Sequence, residues 1–215
     1  MVRIGIVRVL TTQDERLLNA HGRLIESHFP QFVTISRCIE DQPEGIHDDR
    51  TREVAVPKVV KLGCELESEG VGALIISCAD DPGVDQLRNS VRIPVIGAGS
   101  ASASLALSLG NKIGVLIISD RTPDVIRKTL ARSFLAEARP KGVATTLDLL
   151  REEERAHLFS AAEELKRKGA DVILLACTGY ATIGIAKELA RRLGMPVVDP
   201  VLASALATYY VTLAI

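Results

Sequence analysis

Short runs in which every residue is apolar alternate along this chain with longer stretches whose apolar positions recur every three or four residues. The first run, IGIV from Ile4, predicts a strand. The stretch after it sets Leu17, Leu18, His21, Leu24, Ile25 and His28 at helical spacing, with Pro30 as the stop. FVTIS from Phe32 predicts a second strand, and the Pro-, Gly- and Asp-rich RCIEDQPEGIHDD a loop. A helix is predicted from about Thr51 to Glu69, with Pro57 in its first turns or at a kink and Gly70 at its end. GALIIS, a short helical piece from Val84 to Asn89, IPVIG and an alanine-rich helix from Ala101 to Leu109 follow. IGVLIIS then precedes a helix starting near Thr122 and Pro123, and a charged helix is predicted from Glu152 to Lys168. DVILLAC, a helix from Thr182 to Leu193, MPVVD and a last helix complete the pattern. Strands apolar on both faces and alternating with helices indicate parallel sheets covered by helices, so the fold class is α/β.

The pattern repeats. ELESEGVGALIISCAD, Glu65 to Asp80, lies over ELKRKGADVILLACTG, Glu164 to Gly179. Glu65 and Glu164, Gly70 and Gly169, and Cys78 and Cys177 are each 99 residues apart. IPVIGAGSASA lies over MPVVDPVLASA, with Pro94 and Pro196 separated by 102 residues, as are Ser102 and Ser204. An internal duplication predicts two similar subdomains, residues 1–110 and 111–215, related by a pseudo-two-fold axis, with a cleft between them and the last helix of the first free to cross over.

In open parallel sheets ligands sit beyond the carboxyl ends of the strands, which is where Cys78 and Cys177 stand. One such cysteine reads first as a small buried hydrophobe. Two at equivalent repeat positions call for a shared role, flanking one ligand from opposite sides. Both precede helical segments, whose N-termini are expected to draw the thiol pKa down from about 8.5. A thiolate that removes a proton from one face of a carbon, paired with a thiol that returns one to the other face, inverts the stereocentre without a cofactor. Cys38 and Cys64 have no such pairing and are expected to be structural. Asp80 and Asp81 either orient substrate or cap the short helix after them.

Composition narrows the field. Lys+Arg at 26 against Asp+Glu at 27 gives a net charge of −1, with no basic excess for nucleic acid. The longest apolar runs fall far short of the roughly 20 residues that span a bilayer, and MVRIGIVRVL reads as a first strand and not a signal peptide. The four cysteines are spread through strands and a helix, as in a reducing compartment, so a cytoplasmic location is expected. GAGS from Gly97 reads as a tight strand-to-helix turn, because it lacks the third glycine of a dinucleotide fingerprint. The histidines at 21, 28, 47 and 157 show no metal-ligand spacing and are expected at the surface or half-buried. REEER at 151–155 is expected to open a solvated helix. A homo-oligomer is the expected assembly.

At these residues the chain resembles the aspartate/glutamate racemase superfamily, and within it the hydantoin racemases. The resemblance rests on a cysteine after the strand of each half, SCADD and ACTGY, on the Cys-x-x-Asp-Pro-Gly pattern at Cys78-Ala79-Asp80-Asp81-Pro82-Gly83, on IPVIGAGSASA, and on the Cys177-Thr178-Gly179 turn. It implies two α/β subdomains, no cofactor or metal, a small-molecule substrate and a catalytic pair at Cys78 and Cys177. Substrate contacts are implied at Arg8 after the first strand, at Ala79, Asp80, Thr178 and Gly179 after the cysteines, and at the hydroxyls of Ser119 and Thr122. Arg8-Val9-Leu10 stands where hydantoin racemases carry an Asn-Pro-Asn-type sequence. A cationic Arg8 suits a carboxylate, which leaves the substrate open between a cyclic ureide and an acidic amino acid. A single-thiol decarboxylase and a non-catalytic ligand-binding module are the other readings.

Overall fold

The structure, a computed structural model, describes residues 1–213. Strand β1 (Val2–Arg8) leads through helix α1 (Glu15–His28) to β2 (Phe32–Cys38), and α2 (Asp49–Ser68) leads to β3 (Ala73–Ser77). Next come α3 (Val84–Arg88), β4 (Val95–Gly97) and α4 (Ala98–Leu109). The second series is β5 (Ile113–Leu116), α5 (Asp124–Leu130), β6 (Phe134–Ala138), α6 (Arg155–Arg167), β7 (Val172–Leu175), α7 (Gly179–Thr182), α8 (Ala186–Leu193), β8 (Val197–Val198) and α9 (Pro200–Thr212). These strands form two four-stranded sheets, ordered β2-β1-β3-β4 and β6-β5-β7-β8, with every pairing parallel.

The repeat in the sequence is a repeat of register. Ile4 pairs with Ala73 and Ile113 with Val172, the partners Ala73 and Val172 standing 99 residues apart. Leu74 pairs with Val95 and Ile173 with Val197, which carries both offsets, 99 along β3 and β7 and 102 along β4 and β8. β3, β5 and β7 are buried along their whole lengths, which is why their sequences are apolar without alternation. Aspartates stand at the N-caps of α1, α2 and α9. Asp14 accepts from the backbone of Arg16 and Leu17, Asp48 shares a capping box with Thr51, and Asp199 accepts from Val201 and Leu202.

The last helix of each series crosses to the other sheet. Ala103 and Ala106 of α4 pack against Ile113, Val115 and Leu174, whereas Val201 and Ala205 of α9 pack against Ile4, Ile6 and Ile75. Each sheet is thus covered on one face by a helix from the other series.

Local expectations are corrected at four places. β6, FLAEA, is a strand that the apolar pattern does not announce, because it lies at a sheet edge and is only half-buried. The helix expected from Thr182 to Leu193 is broken at Ile183–Ile185, where Gly184 takes a positive φ of 64°. REEER forms a 3-10 turn in which Glu154 is buried and accepts a hydrogen bond from His157 Nδ1 at 2.8 Å. The expected solvation holds at Arg151, Glu152 and Glu153 and fails at Glu154, whose carboxylate packs against Gly142. His21 is fully buried and not at the surface.

Candidate active site

The four central strands, β1, β3, β5 and β7, end at one cleft of about 250 Å³. Arg8 arrives on β1, Ser77 at the end of β3 with Cys78 directly after it, Ile118 and Ser119 beyond β5, and Ala176 and Cys177 beyond β7. Both thiols therefore line one cavity, contributed by equivalent strands of the two sheets. Thr146, in the loop after β6, completes the floor beside Cys177.

Different turns hold the two cysteines. After β3 the chain folds back at once. Asp81 donates its N–H to the Cys78 carbonyl at 3.2 Å and adopts a positive φ of 49°. The Asp81 carboxylate accepts the N–H groups of Gly99 and Ser100 at 2.6 and 2.8 Å, so it caps α4 and not the short helix that follows it. Asp80 points the other way, pairing with Arg52 Nε at 2.7 Å along the cleft wall. Burial pushes the Asp80 carboxyl up to about 6 against the pull of Arg52. After β7, by contrast, Cys177 sits directly at the start of α7. Its Sγ accepts the Gly179 N–H at 3.3 Å and lies 3.6 Å from Thr146 Oγ1.

The electrostatic expectation is corrected accordingly. Burial pushes both thiols above their ordinary value, Cys78 well above it, and the adjacent Asp80 charge adds to the rise there. At Cys177 the Thr146 hydroxyl, the Gly179 and Tyr180 N–H groups and the Arg8 charge all act in the opposite direction. Cys78 has no comparable helix end, because α3 starts at Val84, beyond the turn. Cys177 is the better supported thiolate of the two.

The other expected site residues divide. Ala79, Asp80, Ser119 and Thr178 line the cleft, with Ser119 Oγ donating to Arg121 O at 2.9 Å and Thr178 Oγ1 donating to Ser77 O at 3.1 Å. Gly179 lies behind Cys177 and reaches the site through its N–H. Thr122 does not face the cleft. Its hydroxyl and N–H both donate to Glu137 Oε2, at 2.5 and 2.9 Å, because the carboxylate on β6 captures them. Arg8 is 4% exposed, and its Nη1 donates to Leu17 O and Leu18 O at 2.8 and 2.9 Å. Desolvation lowers it to about 10, which leaves it charged at neutral pH. Among the described residues no carboxylate pairs with it, so the cleft floor holds an unbalanced positive charge.

Sequence reasoning missed the mouth. Arg121, after β5, donates from Nη2 to both carboxylate oxygens of Asp49 at 3.1 and 3.2 Å, linking the start of α2 to the opposite rim. Charged loop residues of this kind carry no periodic signal. Among the described residues no helix is long and apolar enough to cross a membrane.

Comparison with known proteins places this architecture. The chain is 31% identical to a hydantoin racemase of Pseudomonas sp. (strain NS671) over 187 residues, which is 83% of this chain and 65% of that protein. It is 30% identical to a hydantoin racemase of Rhizobium meliloti over 210 residues, 94% of this chain and 86% of the relative. Allantoin racemase from Klebsiella pneumoniae shares the fold, with a TM-score of 0.88 at 22% identity, covering 100% of this chain and 89% of that one. Residues 8–208 match Asp/Glu/Hydantoin racemase, and the chain belongs to that family.

Proposed function

We propose that the protein is a cofactor-independent racemase of 5-substituted hydantoins, with Cys78 and Cys177 as its two acid/base groups. One observation carries the reading: two thiols from equivalent strand ends of two sheets line a single cleft. Hydantoins lead because the Pseudomonas and Rhizobium relatives described above carry that name. The C5–H of such a ring is acidified by the adjacent carbonyl. One cysteine, as thiolate, takes that proton from one face, and the other, as thiol, donates its own to the opposite face. Product release leaves the two protonation states exchanged, ready for the other enantiomer. Negative charge builds on the carbonyl oxygen as the C–H bond breaks, and Arg8 supplies the positive charge that offsets it. Thr178 and the backbone that follows each cysteine hold the ring between the thiols.

The test is proton NMR and polarimetry of L- and D-5-substituted hydantoins in D2O, with aspartate and glutamate alongside. Loss of rotation with deuterium entering C5 is the expected result. Inversion of the amino acids alone would replace the hydantoin assignment with the acidic one, which the unbalanced charge of Arg8 also suits. Inactivity on the whole panel would overturn the racemase. The raised thiol pKa values set the pH dependence. Below the pKa of the base the thiolate fraction rises about tenfold per pH unit, so kcat/KM is expected to climb steadily from pH 7 toward 9. A profile already flat between pH 6 and 8 would contradict two buried, neutral thiols.

Arg8→Gln is expected to lower kcat/KM by about 10–100-fold through loss of one charge-assisted contact, with Arg8→Lys intermediate. Parent-like kinetics in Arg8→Gln would remove Arg8 from the site.

A further inference from the structure

The two-thiol reading requires the cysteines, carried by different sheets, to keep a fixed separation across one carbon. Apolar packing of α4 and α9 joins the two sheets, and beside the thiols specific polar contacts add to it. His21, on α1, is 1% exposed, and both ring nitrogens are bonded. Nδ1 lies 2.7 Å from Ser77 Oγ, on the residue preceding Cys78, and Nε2 lies 2.8 Å from Thr182 Oγ1, on the helix whose first N–H holds Cys177 Sγ. A second tie runs beside it, where Thr178 Oγ1 donates to Ser77 O at 3.1 Å. Ser77 and Thr178 are the sequence neighbours of the two thiols on their facing sides.

We infer that His21 is a positioning residue that sets the spacing of the two thiols by bridging the Ser77 and Thr182 hydroxyls. The bridge suits the task chemically. A neutral imidazole has one donor and one acceptor nitrogen, and hydroxyls serve in either role, so both tautomers keep both bonds. Burial and the neighbouring Arg8 charge push the imidazole well below its ordinary pKa, so it stays neutral and the bridge persists across the working pH range. The ring does not line the cleft, so its effect on substrate is indirect. Equivalent positions in the repeat offer no counterpart, since the residue 99 positions after Ser77 is Ala176.

The inference rests on the two-thiol reading, and its test separates the two. Proton abstraction needs one correctly placed thiol, whereas inversion needs both. In D2O, deuterium returned to the starting enantiomer reports abstraction, and deuterium in the opposite enantiomer reports inversion. His21→Asn and Thr182→Val are expected to lower inversion by about a hundredfold, the scale of an ångström's misplacement, while exchange into the starting enantiomer stays within a few-fold of the parent. Thr182→Val removes one bridge bond and no ring, so it carries the test if His21→Asn does not fold. An unchanged ratio of inversion to exchange in the folded variants overturns the inference, whether both rates are parent-like or both fall in step as for a general loss of structure. Cys78→Ser and Cys177→Ser in the same assay report on the underlying reading: inversion surviving in either sinks the two-thiol mechanism itself, whatever His21 does.

Discussion

Replacing Cys78 or Cys177 by serine is expected to lower inversion by about 10²–10⁴-fold, the contribution of a placed acid/base group. The substitution changes one atom and little volume. Both positions are packed, Cys177 within the cluster around Leu175, Tyr180 and Leu149, and Cys78 beside the cluster around Ile76 and Val84, so the fold should be preserved. What changes is the acid strength. A thiol has an ordinary pKa near 8.5, and burial raises both of these further, yet a hydroxyl in the same place stays protonated through the accessible pH range. The serine at either position retains a proton to donate but cannot accept one. Inversion is lost in both directions over repeated turnover, whereas exchange from one enantiomer survives in each variant, and it should be the opposite enantiomer in the two. Circular dichroism confirms the fold, and deuterium incorporation into each pure enantiomer gives the result. Parent-like inversion in either variant would remove that thiol from the mechanism.

Gly99→Ala is expected to damage the site from behind. A Cβ at Gly99 would collide with the carbonyl oxygen of Ala79 and approach its carbonyl carbon to 2.8 Å, and both obstacles are backbone. No rotamer change relieves a backbone clash, so either α4 or the turn after Cys78 must move. Overpacking of this kind costs about 1–3 kcal/mol, and in a chain of this size each kcal/mol shifts Tm by about 2–4 °C. The displaced segment includes Ala79, on the cleft wall, and Asp81, whose carboxylate accepts the Gly99 N–H. Inversion should therefore fall by about a hundredfold beyond any loss of folded protein. Thermal unfolding together with kcat at a temperature where the variant is fully folded checks both parts. A Tm and kcat equal to the parent's would show that the turn yields without consequence.

The strands were legible because burial on both faces leaves no room for polar residues, and β3, β5 and β7 spell this out directly. The repeat carried further, since equal spacing in the sequence becomes equal register in two sheets, and it brought Cys78 and Cys177 to notice together. What stayed hidden depends on partners remote in sequence. His21 looks like any helical histidine until Ser77 and Thr182, 56 and 161 residues away, are seen around it. Thr122 follows a strand end as a ligand-binding hydroxyl would, yet Glu137, on a strand that leaves no clear pattern, binds it. Asp81 lies beside a short helix and caps a different one. The thiol pKa values run opposite to expectation because proximity to a helix start is visible in sequence and depth of burial is not.

The crossing of α4 and α9 governs how this chain is finished during synthesis. The strands of the first sheet are made early and Ile25 of α1 covers part of their face, yet Ile4, Ile6 and Ile75 gain the rest of their cover only when Val201 and Ala205 arrive about two hundred residues after β1. Full burial of such a side chain is worth about 1.5–3 kcal/mol, and part of that is withheld until α9 is in place. Contacts of that separation are slow to form and leave apolar surface open to wrong partners in the meantime. The nascent first sheet is therefore completed only after α9 has been made.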